Sequence, residues 1–212
     1  MGRADIYVFG SSSAYGSGDP EGGWVSHLRR TLDPMSLENG VAKSVIYNLG
    51  VSGETSDGLR KRFSNELEAR LKAKKQAIII FAIGGNDAAF MPSVGRFRVE
   101  ADRFAENLAS LVMEAKTAGR VIVQSLTPVN DTVTEYRPTR DRSKANRHVE
   151  AYNLKLKAIC QGLTVPVVDA YSAFMQHDHR VLLSVDGVHP NAQGHRLLAE
   201  LMLASLQETR AQ

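Results

Sequence analysis

The sequence predicts an α/β fold in three layers, α/β/α, with five parallel strands covered by helices on both faces. Short apolar runs of strand length alternate with stretches of helical periodicity across all 212 residues. The run Ala77-Ile78-Ile79-Ile80-Phe81-Ala82-Ile83 is apolar at every position, as a strand buried on both faces must be. Small, polar or turn-forming residues follow the first three strands, and in parallel sheets the loops beyond the carboxyl ends hold the ligand site.

Ile6-Tyr7-Val8-Phe9 is the first strand; it ends at Gly10, and Ser11 to Gly16 supply a sharp turn. Trp24, Val25, Leu28 and Leu32 then share one face of a helix from about Gly23 to Leu32. Ser44 to Leu49 is the second strand, running into Gly50-Val51-Ser52-Gly53-Glu54-Thr55. Leu59, Phe63, Leu67 and Leu71 form the apolar stripe of the next helix. The third strand, Ala77 to Ile83, stops at Gly84-Gly85-Asn86-Asp87. Phe104, Leu108, Leu111, Val112 and Ala115 mark a long amphipathic helix closed by Gly119. Val121-Ile122-Val123 is the fourth strand. The polar connection from Thr127 to about Ser143 exceeds what compact domains usually need, which makes it a candidate lid or substrate loop. Val149, Tyr152, Leu156 and Ile159 define a further helix, Val165 to Val168 the fifth strand, and Leu197, Leu198, Leu201, Met202 and Leu206 the last helix.

Residues 1–212 read as one domain, large enough for a substantial core without metals or disulfides. The single cysteine, Cys160, falls on an apolar helical position and reads as packing. The first residues lead straight into a strand with no signal-peptide pattern, and the longest apolar run is far too short to cross a bilayer, so a cytoplasmic protein without membrane insertion is expected. A formal net charge of +3 names no partner. The one dense basic cluster, Arg137, Arg140, Arg142, Lys144 and Arg147, is interleaved with Glu135 and Asp141; it reads as a solvated loop and helix start rather than a nucleic-acid track. His177-Asp178-His179 reads as a polar loop, since no strand is predicted there and no further metal ligands are near. No metal, cofactor or nucleic-acid partner is expected, and nothing in the pattern fixes an oligomeric state.

The chemistry is concentrated at Asp186-Gly187-Val188-His189-Pro190. An acid three residues before a histidine can accept the ring Nδ1–H across one tight turn and leave Nε2 to take a proton. Such a pair needs a nucleophile, and Ser12, just past the first strand, is the foremost choice. Phe9-Gly10-Ser11-Ser12-Ser13-Ala14-Tyr15-Gly16 resembles the first sequence block of the SGNH (GDSL-type) serine hydrolases, usually Gly-Asp-Ser-Leu/Ile-Thr-x-Gly. Val51-Ser52-Gly53-Glu54-Thr55 resembles their second block, Gly84-Gly85-Asn86-Asp87 their third, and Asp186-Gly187-Val188-His189-Pro190 their last.

That resemblance, in order and nearly end to end, implies a flavodoxin-like sheet and a role for each matched position. Ser12 is the implied nucleophile, His189 its base and later acid, and Asp186 the group that orients the ring. The implied oxyanion hole is the backbone N–H of Ser12 and Gly53 with the side-chain amide of Asn86. The resemblance implies a carboxylic ester or thioester as substrate and allows arylesterase, thioesterase, lysophospholipase or carbohydrate deacetylase activity; the small sheet and absent signal peptide fit small soluble esters better than a secreted lipase's substrates. One departure stands out: Ser11 replaces the aspartate that the family usually carries before its nucleophile.

Phe90, Met91, Pro92 and Val94 follow Asn86 closely and read equally well as an acyl-pocket lining or as packing. Tyr136, Arg137 and Arg140 are candidates for a substrate loop whose basic groups favour an anionic leaving part. An α/β-hydrolase is excluded, because that fold needs strands ahead of its nucleophile. The rival from another class is a flavodoxin-like module that holds a phosphate or nucleotide on the Ser11–Ser13 turn without hydrolysis.

Overall fold

Each strand lies parallel to its neighbours in one sheet: β1 (Ala4–Gly10), β2 (Ile46–Gly50), β3 (Gln76–Ala82), β4 (Arg120–Gln124) and β5 (Val167–Val168). Their spatial order is β2-β1-β3-β4-β5. The computed structural model describes residues 4–38, 41–42, 44–72, 76–135, 139 and 141–208. The helices are α1 (Ser12–Tyr15), α2 (Gly23–Ser36), α3 (Ser56–Glu68), α4 (Ala101–Ala118), α5 (Asp131–Thr134), α6 (Asn146–Gly162), α7 (Ala170–Met175) and α8 (Ala192–Glu208).

Because side chains alternate along a strand, the continuous apolar run of β3 feeds two separate cores. Ile79 and Phe81 join Phe63 of α3, Leu108 of α4 and Leu156 of α6 on one face. Ile78, Ile80 and Ala82 join Trp24 and Leu28 of α2, Phe174 of α7 and Met202 of α8 on the other. The first core is knit by rings: Phe63 packs edge-on to Phe9, centroids 4.8 Å apart, and tilted against Phe81 at 5.3 Å. Cys160 is buried in that core, where burial pushes its thiol up to about 11, so it packs as an inert apolar group.

The strand order reverses between β1 and β3. The loops leaving their carboxyl ends therefore part to opposite sides and open a crevice, the usual ligand position in such sheets. The loop after β1 carries Ser12 and the loop after β3 carries Asn86.

Several elements differ from the sequence expectation. The turn after β1 is the one-turn helix α1, and β5 is confined to Val167–Val168. Leu71 lies beyond the end of α3 and is 36% exposed, because the helix stops at Glu68 before its stripe reaches that residue. The connection from 127 to 143 contains α5 and is tied down on both sides. Asn130 donates its backbone N–H to Gly187 O at 2.8 Å, and Asp131 accepts from the Asn146 backbone at 2.7 Å. Tyr136, Arg137 and Arg140 lie outside the described residues. Among the described residues, no helix is long and apolar enough to cross a membrane.

Candidate active site

Ser12 is placed by a glycine. A Cβ on Gly10 would lie 2.6 Å from Ala82 O and 2.7 Å from Ala14 Cβ, so only glycine lets α1 fold back onto the ends of β1 and β3. Ser12 is the first residue of α1 and is buried. The chain then turns at Gly16 and brings Gly18 against the C-terminal loop. There a Cβ would meet Pro190 O at 2.2 Å. His195, fully buried in α8, holds the two segments together: its Nδ1 accepts from Trp24 N at 3.1 Å and its Nε2–H donates to Ser17 O at 3.0 Å. These contacts bring together residues 177 positions apart.

His189 Nε2 lies 2.8 Å from Ser12 Oγ, and His189 Nδ1 lies 2.5 Å from Asp186 Oδ2. The other carboxylate oxygen of Asp186 accepts the backbone N–H of Val188 at 2.9 Å and of His189 at 3.0 Å. Gly187 makes this tight turn with φ of +70°, and a Cβ there would sit 3.0 Å from Thr134 Cγ2. Burial pushes the Asp186 carboxyl up, but the bonds from the His189 ring and the Val188 and His189 backbone outweigh it and hold the group well below the usual carboxylate range. It is therefore a permanent anion against Nδ1–H. That fixes the tautomer in which Nε2 accepts a proton from the serine.

Asn86 is buried at the end of β3 and donates one amide hydrogen to Glu54 O at 3.0 Å. Its amide has a second hydrogen to offer the crevice. Glu54 is braced in turn: its carboxylate takes Arg62 Nε at 2.7 Å and Nη2 at 2.5 Å. Gly53, one residue earlier, has φ of +78°. Among the described residues, no acceptor pairs with the backbone N–H of Ser12 or Gly53. The neighbouring Asp87 is fully buried and fastens the loop to the start of α3, accepting Ser56 N at 2.9 Å and Ser56 Oγ at 2.5 Å. With its amide as one donor to the oxyanion, Asn86→Ala is expected to lower kcat about 10²–10³-fold with little change in KM, measured on p-nitrophenyl acetate.

The remaining sequence candidates fall elsewhere. Phe90 and Met91 form a two-residue ribbon with Arg96–Phe97, and the Phe90 ring packs edge-on to Phe97 with centroids 5.3 Å apart. Neither residue lines the two cavities that border the triad loops, so packing is their observed part. His179 donates Nε2–H to Val129 O at 3.1 Å and Asp178 pairs with Arg180; among the described residues, no cluster of acids, histidines and cysteine is arranged to hold a metal.

Of the basic cluster, Arg147 is exposed and pairs with Glu135, as a solvated helix start should. Arg142 and Lys144 do not follow that expectation: both turn inward and line the cavity shared by Asn86, Asp186 and His189. Arg98, which sequence reasoning missed, donates Nη2 to Gly53 O at 3.2 Å. No local pattern distinguishes these inward cations from their solvated neighbours.

A serine, histidine and aspartate in hydrogen-bonded series, with an amide donor at the switch point of a parallel sheet, define a serine hydrolase. Residues 8–197 match the GDSL-like Lipase/Acylhydrolase family, and the chain belongs to it. Among its relatives, an acetylxylan esterase of Geobacillus stearothermophilus is 28% identical over 97% of this chain and 88% of its own. A spore germination lipase of Bacillus licheniformis is 25% identical over 90% of this chain and 89% of its own. The crystal structure of a lipase/acylhydrolase from Enterococcus faecalis superposes with a TM-score of 0.76 at 22% identity, covering 99% of this chain and 97% of that one.

Proposed function

We propose that the protein hydrolyses small carboxylic esters or thioesters with short acyl groups, through an acyl-enzyme on Ser12. The observation that carries the chemistry is the series Ser12 Oγ, His189 and Asp186, with its 2.8 and 2.5 Å contacts. Ser12 Oγ attacks the carbonyl carbon while its proton passes to His189 Nε2. The oxyanion that forms faces the Asn86 amide and the N–H groups of Ser12 and Gly53. As the bond to the leaving alcohol or thiol breaks, His189 gives that group the proton. Water, deprotonated by the same ring, then adds to the acyl carbon, and the serine leaves with the proton.

The short-acyl reading rests on the size of the cavity bordered by Ser11 and Ser13. Its wall mixes Gln124, Ser125 and Thr127 with the apolar Ile83, Leu126 and Val149, and its volume of about 60 Å³ leaves room for only a few acyl carbons. The acetylxylan esterase among the relatives supports the same choice. The non-hydrolytic phosphate module is weaker on two grounds: α1 has only four residues, too few for an appreciable dipole, and Ser12 Oγ is already engaged by His189. Along a p-nitrophenyl ester series, kcat/KM is expected to be highest at two to four acyl carbons and to fall at least about tenfold by ten carbons, as the chain outgrows a small pocket. A maximum at ten carbons or beyond would overturn the short-acyl reading.

A further inference from the structure

Two cationic side chains line the cavity beside the triad, a third lies close enough to feel their charge, and the catalytic steps above use none of them. Lys144 and Arg142 line the cavity that also holds Asn86, Asp186 and His189, and Lys144 extends into the adjoining cavity behind Ser11 and Ser13. The Lys144 backbone is clamped from both sides: its N–H donates to Thr134 O at 2.9 Å and its carbonyl accepts Thr134 Oγ1 at 2.8 Å. Its ammonium group makes no hydrogen bond or ion pair among the described residues, and neither does the Arg142 guanidinium. Arg98 gives one nitrogen to Gly53 O, and its Nη1 is buried with no partner.

The nearby carboxylates are already committed. Asp186 holds the His189 ring, and Asp87 is buried on Ser56. The second cavity has no acidic residue in its wall. Positive charge that lines a cavity and has no hydrogen-bonded counter-ion among the described residues is the arrangement that binds an anion.

We propose that Arg142 and Lys144, with Arg98 behind them, form an anion subsite, and that the substrates of this esterase carry a carboxylate or similar anionic group within reach of the ester they present to Ser12. This rests on the esterase reading and narrows its substrate class. The electrostatics agree with it. Burial pushes the Lys144 ammonium down to about 8, aided by Arg142 and Arg98 and opposed by Asp186 and Asp87. Burial and Arg142 likewise lower the Arg98 guanidinium, while Asp87 raises it. A bound anion relieves that mutual repulsion, whereas a neutral substrate leaves it in place.

The test uses two matched pairs of esters. On the acyl side, the mono-p-nitrophenyl ester of glutaric acid is compared with p-nitrophenyl valerate, corrected for uncatalysed hydrolysis. On the leaving side, 4-acetoxybenzoate is compared with its methyl ester. In the wild type, the charged member of one pair is expected to have the higher kcat/KM; the pair that responds tells which end of the substrate carries the anion. In Lys144→Met and in Arg142→Gln, the ratio of charged to neutral kcat/KM should fall roughly 10–100-fold, the worth of a charged hydrogen bond. A loss of fold lowers both members alike and cancels in the ratio.

Raising the pH through about 8 removes the Lys144 charge, so the wild-type ratio should drop there, and Lys144→Met should lack that step. A wild type without charge preference in either pair, while hydrolysing the neutral esters through Ser12, overturns the subsite and leaves the esterase standing. Ratios unmoved by both substitutions also overturn it. If no ester is cleaved, calorimetric binding of 4-acetoxybenzoate to Ser12→Ala, lost in the Ser12→Ala/Lys144→Met variant, would support the subsite while the esterase reading fails. Absence of that binding overturns the subsite as well.

Discussion

Ser12→Ala lowers kcat on p-nitrophenyl acetate by about 10⁴–10⁶-fold and leaves thermal unfolding near that of the wild type. The size follows from what the hydroxyl does: without Oγ there is no acyl-enzyme, and His189 Nε2, 2.8 Å away, has nothing to deprotonate except water. The residual rate is the contribution of the amide donors and of substrate binding, which the substitution leaves in place. The fold tolerates the change because Ser12 Oγ has His189 as its one hydrogen-bond partner among the described residues, and the α1 backbone is set by Gly10 and Gly16 rather than by the hydroxyl. Stopped-flow measurement should show a burst of p-nitrophenol in the wild type and none in the variant if deacylation is the slower step. Equal turnover by the two proteins would remove the serine hydrolase reading.

Asp186→Asn is expected to cost about 10⁴-fold in kcat although the side chain is almost isosteric. The backbone N–H groups of Val188 and His189, at 2.9 and 3.0 Å from Oδ1, will select the amide oxygen for that side. The amide nitrogen is then left facing His189 Nδ1, where the carboxylate oxygen stood at 2.5 Å. Two donors cannot face each other, so the ring takes its proton on Nε2 and can no longer accept one from Ser12. Stability responds with a definite sign. A carboxyl held below its ordinary range stabilises the fold above the unfolded-state value of about 4, and that part is lost as the pH falls through the lower folded value. Asp186→Asn should therefore flatten the acid limb of a stability–pH curve below about pH 4. An Asp186→Asn enzyme with near-wild-type kcat would show that the ring needs no such partner.

The strand and helix order was legible because burial on both faces imposes two unmistakable patterns. Every position of β3 from Ala77 to Ala82 is apolar, and each long helix carries an apolar stripe on one face. The triad was legible for a different reason. Asp186 and His189 meet across one tight turn, a local relation that three-residue spacing already specifies. Boundaries were less so: Leu71 extends the stripe of α3 by periodicity, yet the helix ends before reaching it.

By itself, then, the sequence determined the layer architecture and the Asp186–His189 pair, which follow from local periodicity and short spacing, while its resemblance to the family's blocks singled out Ser12 and Asn86. Only the tertiary structure decided that Phe90 packs on Phe97 instead of lining the cavity, and that within one basic run Arg147 meets solvent while Arg142 and Lys144 face the triad. The reason is physical. Charge is written in the chain, but whether a charge meets water or a buried cavity depends on contacts such as the Thr134–Lys144 clamp and the approach of Gly187 to Asn130, between segments that are distant along the backbone.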